Sequence, residues 1–96
     1  MAAILVSDEA DATVLAIAKW LANNASAKAK MDFLAAVTDK IKLLASSPEL
    51  GRKSDEIPGL RGIVVDQHHK MYYTYSGDTV TIPGVVDMRR QPGGAR

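Results

Sequence analysis

The 96-residue sequence contains no cysteine. Disulfides, thiolate nucleophiles and cysteine-ligated zinc are therefore excluded. It is also short of net charge. A total of +1 is too little to set up a strong attractive field for nucleic acid. No long hydrophobic run is present: Ala2-Ala3-Ile4-Leu5-Val6 falls far short of the roughly 20 residues that span a bilayer. That stretch lacks a basic flank and passes directly into Ser7-Asp8-Glu9, so it reads as structure rather than as a signal peptide. Internal repeats, low-complexity tracts and dividing linkers are missing too, which leaves a single domain over residues 1–96. What is present suits a globular chain, with 47% hydrophobic and 24% charged residues.

The two halves differ. All five arginines lie in the second, at Arg52, Arg61, Arg89, Arg90 and Arg96. Thirteen of the fourteen alanines lie in the first, which favours helix there. Residues 2–6 read as a short buried strand. Ser7 can cap a helix whose first turn carries Asp8, Glu9 and Asp11 against its positive end. Ala10, Val14, Ile17 and Leu21 recur at helical spacing, with Trp20 flanking the stripe. Asn23-Asn24 should end this helix in a left-handed cap. A second helix places Ala27, Met31, Leu34, Val37, Ile41 and Leu44 on one face and stops at Ser46-Ser47-Pro48. The short connection implies an antiparallel helical hairpin.

After a polar loop over residues 46–59 the period changes to two. Strands are expected over residues 60–66, 70–75 and 79–87, the last two joined by a turn at Ser76-Gly77-Asp78. Val80, Ile82 and Val86 should point inward. Pro83-Gly84 interrupts the last strand and marks an edge or a bulge. The order β-α-α-β-β-β gives an α+β fold, a helical hairpin packed on one face of a small, mainly antiparallel sheet.

Several ordered pieces carry a family resemblance. They are Ile17-x-x-Trp20-Leu21 running to Asn23-Asn24; Leu43-Leu44-Ala45-Ser46-Ser47-Pro48-x-Leu50-Gly51-Arg52; Gly59-Leu60-Arg61; Lys70-x-Tyr72-Tyr73-x-Tyr75; and Val85-Val86-Asp87-Met88-Arg89-Arg90-Gln91-Pro92. Together these resemble the RelE/ParE superfamily of toxins from bacterial type II toxin–antitoxin pairs, over residues 2–92. The resemblance implies a small cytoplasmic toxin, free of cofactor and metal, that is neutralised by an antitoxin wrapped around it and oligomerises mainly through that complex.

The superfamily holds two activities. RelE-like members cut mRNA on the ribosome; ParE-like members inhibit DNA gyrase. RNA cleavage needs an acid, a base and cations around the phosphate. Carried over by resemblance, Arg61 and Lys70 match basic positions on the middle strands and Arg89 matches the last-strand arginine, with Arg90 a one-residue alternative. Position 63 is Ile where a second lysine belongs, and no Tyr or His follows Arg90. His68 and His69 offer acid–base chemistry, with His69 the candidate. The plainer expectation is two solvent-exposed turn residues, since neighbours in a strand face opposite ways. With no third ligand at recognisable spacing, the pair implies no metal.

Tyr72 can stack on a base, while Tyr73 and Tyr75 share a face with Met71 and belong to the core. Trp20 is expected to pack helix against sheet, and Met31 to fill the core. The loop signature and the missing terminal tyrosine rank gyrase inhibition ahead of ribosome-dependent mRNA cleavage. A third possibility is a non-toxic homologue that only binds antitoxin. Ala18, Ala22, Ala29, Ala35 and Ala36 give the hairpin small-residue ground for an antitoxin helix or strand.

Overall fold

The computed structural model describes residues 1–90, apart from the side chain of Arg90. Strand β1 (Ala3–Val6) leads into helices α1 (Asp8–Asn24) and α2 (Ala27–Ser46). Strands β2 (Arg52–Lys53), β3 (Leu60–Val64), β4 (His69–Ser76) and β5 (Thr79–Asp87) follow, and a 3-10 turn at Met88–Arg90 ends the described chain. The sheet order is β1-β5-β4-β3-β2, with β1 parallel to β5 and every other pair antiparallel. This is the α+β arrangement the sequence predicts. Strand β2 falls inside the expected loop, because two residues are too few to show a period.

Both helices begin on serine caps. The hydroxyl of Ser7 accepts the N–H of Ala10, and that of Ser26 accepts the N–H of Ala29, each at 2.9 Å. Helix α1 ends without the expected left-handed asparagine, since among the described residues only glycines have positive φ. Instead the N–H groups of Ala25 and Ser26 both reach the Leu21 carbonyl, and the Asn24 amide donates to the Trp20 carbonyl. These bonds satisfy carbonyls that a helix end leaves open.

The core lies between the hairpin and one face of the sheet. Phe33, Val37 and Leu44 of α2 and Ala10 and Ala18 of α1 meet Met71 and Tyr73 of β4 and Val80, Ile82 and Val85 of β5. Met31 is 61% exposed, so the buried stripe of α2 runs through Phe33 instead. On the last strand Val85, not Val86, is buried. A β-bulge causes this. Tyr72 pairs with Gly84 but Thr74 pairs with Thr81, so Ile82 and Pro83 together face Tyr73. The extra residue shifts the alternation by one. Pro83 therefore sits at a bulge in an internal strand, just where β1 stops pairing, and its missing N–H breaks no ladder bond there.

Candidate functional site

The cations singled out in the sequence lie in three separate places. Arg61 and Tyr73 are cross-strand partners on the helix-facing side of the sheet. The loop after α2 closes over them. The Tyr73 hydroxyl donates to the Pro48 carbonyl at 2.9 Å and accepts the Gly51 N–H at 2.7 Å. Nη1 of Arg61 donates to the carbonyls of Glu49 and Gly51, at 3.0 and 2.9 Å. The Pro-x-Leu-Gly-Arg signature is thus a clamp. Pro48 and Gly51 hold a buried tyrosine, and Arg61 locks the loop from below.

Lys70 belongs to the opposite side of the sheet. It pairs with Val64, one step out of phase with Arg61, so the two side chains alternate to different faces. Its stem lies across Gly62, where a Cβ would come within 2.5 Å of Cε, and its ammonium stands 5.4 Å from the Tyr72 ring centroid. Arg52, Lys53, Asp55 and Glu56 border the groove here, so charges of both signs surround the lysine.

Arg89 lies just past β5, in the 3-10 turn, at a third site. Its Nη2 and Nε contact the two carboxylate oxygens of Asp87 at 3.0 and 3.2 Å. This pairing is the main cause that holds the Asp87 carboxyl at about 2, well below the usual carboxylate value, and it raises Arg89. Arg90, the other last-strand candidate, has its side chain outside the described residues, as do residues 91–96 with Gln91-Pro92.

His69 departs most from expectation. It is 4% exposed and opens β4 instead of decorating a turn. Strand β3 stops at Val64, and the N–H groups of Val65 and Asp66 turn back onto the His69 carbonyl. One oxygen of Asp66, Oδ1, accepts from the N–H groups of His68 and His69 and meets Nδ1 of His69 at 2.8 Å. Burial pushes the Asp66 carboxyl up, but these hydrogen bonds and the His69 charge outweigh it, so it lies below its ordinary value. The imidazole packs against Phe33 with ring centroids 4.8 Å apart. His68 is half-buried, and its ring is edge-on to His69 at 6.4 Å.

Beside His69 a pocket of about 290 Å³ opens between α1 and the end of β5. Ala16, Ile17 and Trp20 form its helical wall, and His69, Asp87 and Arg89 its sheet side. Trp20 is 50% exposed at this pocket and does not fill the helix–sheet interface as expected. Sequence reading missed both Asp66 and the pocket. The Asp-x-x-His spacing across a turn was the available signal for the pair, because an Asp side chain there can accept the next free N–H groups. Nothing in the chain order announces that Trp20 and Arg89 line one pocket.

Of the alanines, Ala18 is buried, Ala29 and Ala36 are half-buried, and Ala22 and Ala35 are exposed. Among the described residues no three His, Asp or Glu side chains gather as a metal site, and no helix is long and apolar enough to cross a membrane.

Residues 4–92 match the family model for the ParE toxin of type II toxin–antitoxin systems, parDE. No curated protein matches. Among solved structures, a chain of a chromosomal ParDE system from P. aeruginosa is similar, with TM-score 0.76 and 18% identity over 91% of this chain and 96% of that one. The YoeB dimer from Staphylococcus aureus aligns with TM-score 0.58 and 16% identity, over 86% of this chain and 92% of that one. A copper-bound mutant toxin from Helicobacter pylori aligns with TM-score 0.61 and 13% identity, over 91% and 94%. At these identities the structures speak for the fold alone.

Proposed function

Because the chain belongs to the ParE toxin family of type II toxin–antitoxin systems, we propose that it inhibits DNA gyrase in the cytoplasm and is neutralised by a cognate antitoxin. One observation carries the choice of target. The three cations that RNA cleavage would need together are apart: Arg61 is bonded to loop carbonyls, Lys70 is on the other face, and Arg89 is paired with Asp87. A phosphoryl transition state needs donors converging on one point. Gyrase inhibition makes no such demand; it asks only for a binding surface. His69 does not bring the set together, since it lines a pocket with Arg89 but with neither Arg61 nor Lys70.

The antitoxin reading draws on the fold. Ala22 and Ala35 are exposed small residues on the hairpin, and Leu5 on the edge strand β1 is 59% exposed. A segment that folds on binding can cover such ground as a helix or an added strand.

The test is a gyrase supercoiling reaction on relaxed plasmid, with purified toxin alone and with toxin plus antitoxin. The expected result is loss of supercoiling that antitoxin restores. Full supercoiling with toxin in large excess over gyrase would overturn the proposal and turn attention to translation-dependent mRNA cleavage, with Arg61, Lys70 and Arg89 the residues to replace.

A further inference from the structure

We draw no further inference here: the strongest candidate, the pocket between α1 and the end of β5 lined by Ile17, Trp20, His69 and Arg89, carries none because nothing in the structure shows what covers it.

Discussion

A methyl group on Gly51 would lie 2.5 Å from the ring and hydroxyl of Tyr73, a side chain with no exposed surface. The tyrosine cannot retreat, because its hydroxyl is fixed on both the Pro48 carbonyl and the Gly51 N–H. Gly51→Ala should therefore destabilise the chain by about 1–3 kcal/mol, the cost of overpacking a filled site. Urea denaturation measures it; a midpoint equal to wild type would show that the loop yields freely. The motif around Gly51 was legible as a family signature, but its role was not. Its two anchors, Arg61 and Tyr73, lie 10 and 22 residues further along the chain from Gly51. The sequence therefore offered Arg61 as a candidate for chemistry, whereas the fold engages it with loop carbonyls. His69 was misjudged for a related reason: its burial depends on Phe33 of the other half, which no local pattern around His68-His69 reveals.

At the scale of the element, one residue joins three. Ser7 caps α1, its N–H donates to the Ile82 carbonyl at 3.1 Å, and its hydroxyl donates to the Pro83 carbonyl at 3.2 Å, at the bulge of β5. Ser7→Ala should cost about 1 kcal/mol or somewhat more, because the cap and the strand contact are lost together. Ser7→Asp separates them: a carboxylate keeps the cap but cannot donate to Pro83. A melting temperature for Ser7→Asp as low as that of Ser7→Ala would show that the strand contact dominates. Both helices, the hairpin turn and four of the five strands were legible from period and punctuation. The errors came where tertiary pairing overrode the pattern. The bulge moved Val85 inward, and pairing with Gly62 and Arg61 turned Arg52 and Lys53 into a strand.

Acid stability is a property of the whole fold, because folding creates the contacts that shift the carboxyls. Asp87 is held at about 2 in the folded chain, and Asp66 is also lowered. A lowered folded value means that the stabilisation is fully present above the unfolded carboxylate value of about 4 and is lost as pH falls through the folded one. Asp87→Asn removes the Asp87 share. The gap in melting temperature between wild type and Asp87→Asn, present at neutral pH, should close as pH falls from about 4 towards 2. A gap that persists at the acid end would assign the effect to something other than ionisation of Asp87.

The parallel pairing of β1 with β5 joins residues 3–6 to residues 79–82. During translation the first strand leaves the ribosome long before its partner exists. The helical hairpin, whose contacts are local, can form early, but β1 stays unpaired until residues 79–87 have been made and released. A messenger that is truncated or stalled before that point yields a chain with its edge strand unpaired and without the Asp87–Arg89 end of the pocket. Closure of this sheet is thereby coupled to synthesis of residues 79–87.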